Sequence, residues 1–237
     1  WAGEPAAGAP VRAGAREHVL PTGAMHLVFR LSGPPLRLFD GDQDLAGYSA
    51  GSHALVGGPR ERFYMRDVSH PCASVGVLLR PGAALPLLGA PADALAGRHT
   101  PLEELWGSQA GLALERLQEA GSLEARLDLL ESLLLDRLAD SFHGLHPAVA
   151  QSLAPLGLGT LQVRDLAMRS GYSHRRFIDL FRGATGLAPK AYARVHRLGR
   201  VLDLAANAGL GWADIAGEAG FADQSHLTRE FGEIAGL

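Results

Sequence analysis

One stretch of this sequence is written twice, and a chain that repeats a helix–break–helix pattern has few ways to fold it. VRDLAMRSGYS (163–173) aligns with WADIAGEAGFA (212–222), pairing Asp165 with Asp214, Ala167 with Ala216, Gly171 with Gly220 and Tyr172 with Phe221. After one inserted residue in the second turn, SHRRFIDLFRGATGL (173–187) aligns with DQSHLTREFGEIAGL (223–237). Phe177 then matches Leu227, Phe181 matches Phe231, Gly186 matches Gly236 and Leu187 matches Leu237. In each copy the small Ala167 or Ala216 lets two helices cross closely. Gly171 or Gly220 supplies the left-handed turn after the first helix, and the aromatic that follows is expected to plug a small core. Ser173 or Asp223 is placed to cap the second helix. Phe177 and Phe181, like Leu227 and Phe231, recur at i and i+4 and point inward, which leaves the opposite face free for a DNA groove.

Charge supports that use once it is divided along the chain. The formal net charge of −3 is an average. Residues 1–145 carry 12 basic and 17 acidic groups, while residues 146–237 carry 10 and 8. Within the second part, residues 160–200 hold nine basic groups (Arg164, Arg169, Arg175, Arg176, Arg182, Lys190, Arg194, Arg197, Arg200) against Asp165 and Asp179. Residues 201–237 reverse this, with Arg229 alone against six acids. The first copy is a phosphate-facing surface by composition, and the second is not.

The remainder reads differently. MHLVFRL (25–31), LRLF (36–39), HALVG (53–57), RFYMRDV (62–68) and ASVGVLLR (73–80) are short strand-like runs separated by turn clusters. Several such strands need closure or covering, so a small barrel or curved sheet is expected. Residues 1–16, rich in Ala, Gly and Pro, read as a tail or edge segment. After Pro81 the period becomes helical, near 82–89, 102–106, 108–120 and 122–140. The last segment aligns Leu123, Leu127, Leu130, Leu134 and Leu138 in a stripe that suits packing on its own sheet, or a homodimer helix. A break at SFHGLH (141–146) marks the domain boundary. A helix begins at Pro147 and is expected to end early at Pro155, and another spans Pro189 to Ala206. The fold class is therefore α+β: a β-rich, barrel-like N-terminal domain with appended helices (1–145), then an all-α domain of two helix-turn-helix units joined by a connecting helix (146–237).

The tandem arrangement, with GLAPKAYARVHRLGRVLDL (186–204) between the copies and GFADQSHLTREFGEIAGL (220–237) at the end, resembles the DNA-binding domain of AraC/XylS-type bacterial transcription regulators. LPTGAMHLVFRL and residues 78–107 also look like the N-terminal domain of one poorly characterised branch of that family. The resemblance implies double-stranded DNA as partner, read in adjacent major-groove segments by helices 174–183 and 223–234. It implies a small-molecule effector at the N-terminal domain, with RNA polymerase and a second copy of the chain as further partners. Carried over position by position, it implicates Arg175, Ile178 and Asp179 in the first reading helix, with Arg176 and Arg182 placed for phosphates. In the second it implicates Gln224, Ser225, Thr228 and Arg229. Arg175 suits guanine or phosphate and Gln224 suits adenine. Asp179 departs from a phosphate-facing surface and is read as pairing with Arg175, Arg176 or Arg182. The family continues past the final GL, so the chain is expected to be truncated there. Starting at Trp1 without an initiator Met, it is expected to be a fragment.

Enzymatic alternatives fit less well, and no catalytic residue, cofactor or metal is assigned. Cys72 is the only cysteine, which excludes an intrachain disulfide and the four-cysteine zinc site of DNA-alkylation repair domains, and points to reducing cytoplasm. His26, His53 and His70 lack ligand spacing, against a metal-dependent cupin-like enzyme. A ligand-sensing domain remains, and strand alternation groups His26, Arg30, Tyr64 and Arg66 as its candidate pocket. No apolar run reaches membrane-spanning length, and Trp1–Pro10 lacks the features of a signal peptide.

Overall fold

The computed structural model describes residues 1–4, 13–41, 43–138, 144–207 and 209–236. Half of the expected 1–16 tail, the end of the 122–140 helix, half of the 141–146 break and Leu237 lie outside the described residues. Among these residues, β1 (Ala2–Gly3), β8 (Ser74–Leu79), β3 (Met25–Arg30), β6 (Ala54–Gly57) and β9 (His99–Pro101) form one antiparallel sheet in that spatial order. A second sheet runs β2 (Arg16–Val19), β7 (Tyr64–Asp67), β4 (Arg37–Phe39) and β5 (Tyr48–Ser49). Two stacked sheets thus take the place of a closed barrel: strands of two to six residues are covered by packing rather than by joining edge to edge.

Period-two alternation decides what each face of β3 does. Val28 meets Val19, Leu36, Leu38, Leu55 and Tyr64 between the sheets. Met25, Leu27 and Phe29 point the other way, into a core roofed by α1 (Ala84–Leu88), α2 (Glu103–Trp106), α3 (Gln109–Glu119) and α4 (Leu123–Leu138). Trp106 is a plug in this roof, donating its indole N–H to the Leu87 carbonyl at 2.9 Å. The leucine stripe of α4 packs on its own sheet, but only in part. Leu130 is buried, Leu134 and Leu138 are half-buried, and Leu123 and Leu127 stay exposed.

The helical half starts with α5 (Pro147–Gly157), which runs through Pro155 and ends two residues later than expected. The missing amide of Pro155 falls in the last turn, where the lost bond ends little. The first repeat forms α6 (Val163–Ser170) and α7 (His174–Thr185), and the second forms α9 (Trp212–Glu218) and α10 (Gln224–Ala235). Between them lies α8 (Pro189–Asn207). Each unit has its own small core: Ala167, Phe177 and Phe181 gather on Tyr192 and Val195 of α8, and Ala216, Phe221 and Leu227 on Val201. The repeat breaks at two aromatics. Phe231, matched to the fully buried Phe181, is half-buried beside a surface groove rather than packed inward. Phe221 plugs its core at 7% exposure, but Tyr172 is 40% exposed, with its ring against His146 and its hydroxyl 3.2 Å from His146 Nε2. A phenol keeps its polar end wet where a phenyl ring goes inside.

Strand register makes one further row. His26 on β3 pairs with Gly57 on β6, and Gly57 pairs with His99 on β9. A side chain at Gly57 would overlap the His26 ring, so the glycine is the space that ring occupies. Gly57→Ala is expected to lower stability by about 1–3 kcal/mol through overpacking, seen as a lower urea midpoint at unchanged slope. An unchanged midpoint would show that the ring has somewhere else to go.

Candidate nucleic-acid interface

Helices α7 and α10 are built alike. Ser173 accepts a hydrogen bond from the Arg176 amide at 3.3 Å and starts α7, and Asp223 accepts one from the His226 amide at 2.7 Å and starts α10. These caps satisfy amides that a helix start leaves free. With Phe177, Phe181 and Leu227 turned inward, the outer faces carry Arg175, Arg176, Asp179 and Arg182 on α7, and Gln224, Ser225, Thr228 and Arg229 on α10, all exposed. Ile178 is half-buried. Among the described residues no ion pair joins Asp179 to Arg175, Arg176 or Arg182, so the pairing expected for it is not made. Thr228 donates its hydroxyl to the Gln224 carbonyl at 2.9 Å and, with Gln224 and Trp212, lines a surface groove of about 260 Å³.

The C-terminal ends of the same helices rest on the sheet half. Gly186 and Gly236, matched in the repeat, are both left-handed caps, with φ of 80° and 73°. Gly186 sits against Pro59 and Gly236 against Phe63, at the two ends of the β6–β7 connector. Near Gly186, the Gly82 amide donates to the Ala184 carbonyl at 2.8 Å. Near Gly236, the Phe63 amide donates to the Ile234 carbonyl at 2.9 Å, Arg62 Nε to the Glu233 carbonyl at 3.0 Å, and His18 Nε2 contacts the Ala235 carbonyl. Donors from one half thus satisfy carbonyls that the helix ends of the other leave open. Arg182, in the last turn of α7, lines a cleft of about 570 Å³ here with Arg60, Arg62 and Phe63.

Of the nine basic residues in 160–200, four have partners among the described residues, Arg164 with its neighbour Asp165 at 3.4 Å being the local one. Arg194 and Arg197 pair with acids of α10. Arg197 also lies over the Phe221 ring, and Arg200 donates to the carbonyls of Leu158 and Glu218. The composition of this stretch could not show that division, because the acids that engage Arg194 and Arg197 lie more than thirty residues away.

The candidate ligand group is only partly assembled. His26 and Tyr64 come together through His99, whose ring lies 5.7 Å from the first and 5.0 Å from the second. Arg60 completes the cluster, with Nη2 3.2 Å from His99 Nδ1 and its guanidinium over the Tyr64 ring. Sequence reasoning missed His99 and Arg60, which only the pairing of β6 with β9 brings here. Arg30 instead donates to the Pro34 carbonyl, and Arg66 pairs with the exposed Glu17, although its charge is still felt by the histidines. His53 bonds the Gly33 carbonyl, and among the described residues no three His, Cys, Asp or Glu side chains are grouped to hold a metal ion. Burial, then the charges of Arg66 and Arg60, lower the pKa of His26 to about 4. Burial, then His26, Arg60 and Arg66, lower that of His99 to about 3. Both values lie below the ordinary 6.5, so in acid the unfolded chain binds protons that the folded chain refuses. This contribution to stability is complete above pH 6.5 and falls as pH drops from there towards 4, by at most about 1.4 kcal/mol per pH unit for each histidine. Urea unfolding of a His26→Gln, His99→Gln variant should show a shallower loss of stability over that window, and an unchanged slope would assign the loss to other groups.

Comparison with known proteins bears on both halves. Residues 166–237 match the helix-turn-helix domain family, and residues 1–101 match a domain of unknown function, DUF6597. No match was found among curated proteins. Similar solved structures include ToxT from Vibrio cholerae bound to (E)-4-(8-methylnaphthalen-1-yl)but-3-enoic acid, with a TM-score of 0.48, 12% identity and coverage of 94% of this chain and 93% of that one. They include ToxT with an unsaturated fatty acid bound, at 0.45, 13%, 94% and 88%, and an apo variant of it at 0.46, 14%, 96% and 92%. The helix-turn-helix match takes in both units and the connecting helix between them.

Proposed function

We propose that the chain is a sequence-specific DNA-binding transcription regulator with an N-terminal sensing or oligomerisation domain over 1–145 and a DNA-binding domain over 146–237. The observation that carries this is the duplicated reading helix: α7 and α10 leave their N-terminal turns exposed, with Arg175 in the first turn of one and Gln224 in the first turn of the other, on one rigid connector. Each helix enters one of two successive major-groove segments, about 34 Å apart along the duplex. Arg175, Ile178 and Asp179 face base edges from α7, and Gln224, Ser225, Thr228 and Arg229 from α10. Arg176 and Arg182 hold phosphate. Asp179, which has no ion pair among the described residues, is suited to accept from a cytosine amino group.

The first half takes the sensing part. A small-molecule effector there acts on DNA binding, or on recruitment of RNA polymerase, through the contacts at the ends of α7 and α10. Homodimerisation through α4 would use Leu123 and Leu127, which its own sheet leaves exposed. No helix among the described residues is long and apolar enough to cross a membrane. The site of action in this reading is cytoplasmic DNA. The reading includes no catalytic step.

Selection of genomic fragments by the purified chain at stated salt tests this directly. A bipartite site should be enriched, and Arg175→Ala should lose about 1–3 kcal/mol at one base step while leaving the other segment's preference intact. Unchanged affinity would remove α7 from the interface, and absence of any selective enrichment would overturn the reading.

A further inference from the structure

The second helix-turn-helix unit is acidic where a DNA-facing surface should be basic, and two of its acids have internal partners. Glu230 on α10 keeps only 14% of its side chain exposed. Its Oε1 accepts from Arg194 Nε at 3.0 Å, and Oε2 lies 3.5 Å from Arg197 Nη2. Glu233, one turn on, accepts from Arg194 Nη2 at 2.7 Å. Both arginines belong to α8 and keep about a third of their side chains exposed.

This arrangement does not belong to the repeated unit itself. At the position equivalent to Glu230 the first copy has Leu180, half-buried against its own core, and at that of Glu233 it has Gly183. The same function, holding a reading helix on the connector, is apolar in one copy and ionic in the other. The two arginines also line a cleft of about 520 Å³ together with Arg164, His174 and Lys190, where Glu230 is the one acid in the lining. His174 is the first residue of α7, so the cleft opens beside the end of that helix which meets the groove.

We infer that Glu230 and Glu233 are internal counter-ions that withhold Arg194 and Arg197 from DNA phosphate and use them to seat α10 on α8. This rests on the reading of the chain as a two-segment DNA binder. Glu230 is then a positioning residue with an effect on specificity. Phosphate contacts raise affinity for every sequence alike, so two arginines freed into a cleft that already holds Arg164 and Lys190 would strengthen binding to the wrong DNA as much as to the right one. Engaging them on α10 leaves base edges a larger share of the binding free energy.

The test is titration of the full chain with short duplex DNA of arbitrary sequence over a range of sodium chloride. Glu230→Gln and Glu230→Leu, the latter copying the first repeat, should bind that DNA more tightly at low salt. Their slope of log Kd against log salt should steepen by about 0.9 for each arginine released. The ratio of affinities for a selected fragment and for arbitrary duplex should fall. Arg194→Gln should leave the slope unchanged, because Arg194 touches no phosphate to begin with. This keeps the inference testable even if a Glu230 variant melts early. A slope reduced by about 0.9 in Arg194→Gln would overturn the inference, as would unaltered slopes in both Glu230 variants with native melting. In either case a chain that still selects its fragments keeps its assignment as a DNA binder. Failure of the unaltered chain to bind DNA at all would overturn both.

Discussion

Everything in the helical half is referred to α8. Its 19 residues make a rod of about 28 Å, close to the one helical turn of DNA, about 34 Å, that separates successive major-groove segments on one face. A helix is stiff over that length because each interior peptide is tied to the next turn. Tyr192 and Val195 near one end enter the core of the first unit, and Val201 near the other enters that of the second. Neither small core could hold two helices apart by itself. Joined through one rod, two units with marginal cores of their own gain a fixed separation, and separation is what a bipartite site reads.

The arginine face of α8 adds direction to that separation. Exposed ion pairs contribute little, roughly 0–1 kcal/mol each, and those of Arg194 with Glu230 and Glu233 are only partly buried. Their effect therefore lies less in stability than in where they let charge point. Apolar contacts alone would allow α10 to roll on α8 at little cost. A carboxylate caught between two guanidinium groups one turn apart on α8 permits far fewer orientations, and leaving it buried without them would be costly. The acidity of the second unit is thus compatible with a DNA-facing role, because part of it is spent inside.

A second constraint comes from the other half of the chain. Helix C-termini leave carbonyls without intrahelical partners, and for both reading helices some of these are satisfied from the sheet half, around the β6–β7 connector and Gly82. The helices are held at the ends opposite their exposed first turns. Backbone hydrogen bonds are directional, so a shift of the connector by even half an ångström would have to be followed by α10 or would cost a bond of about 1 kcal/mol. An effector that moved the connector would therefore act on the reading helix through its cap, with no need to approach DNA. Coupling of a few kcal/mol between the halves needs nothing more than two or three such bonds made in one state and lost in another.

Which of these features the sequence shows depends on how far apart the interacting residues lie. The helix-turn-helix units are legible because their chemistry is local: Ser173 and Asp223 cap within three residues, and Phe177 and Phe181 define a face within one turn. The sheets are legible as strands but not as pairings. Alternation alone grouped Arg30 and Arg66 with His26, whereas the row His26–Gly57–His99 depends on strands brought together from three separate places. The same distance hides the acids of α10. In sequence, Glu230 and Glu233 look like a defect in a DNA-binding helix, because their partners lie more than thirty residues upstream on a different helix. The internal repeat narrows the ambiguity: Leu180 in one copy shows that its position faces the protein, so an acid in the other copy has to find its cation there. Read in that way, a departure from the repeat marks a residue whose partner lies inside the fold.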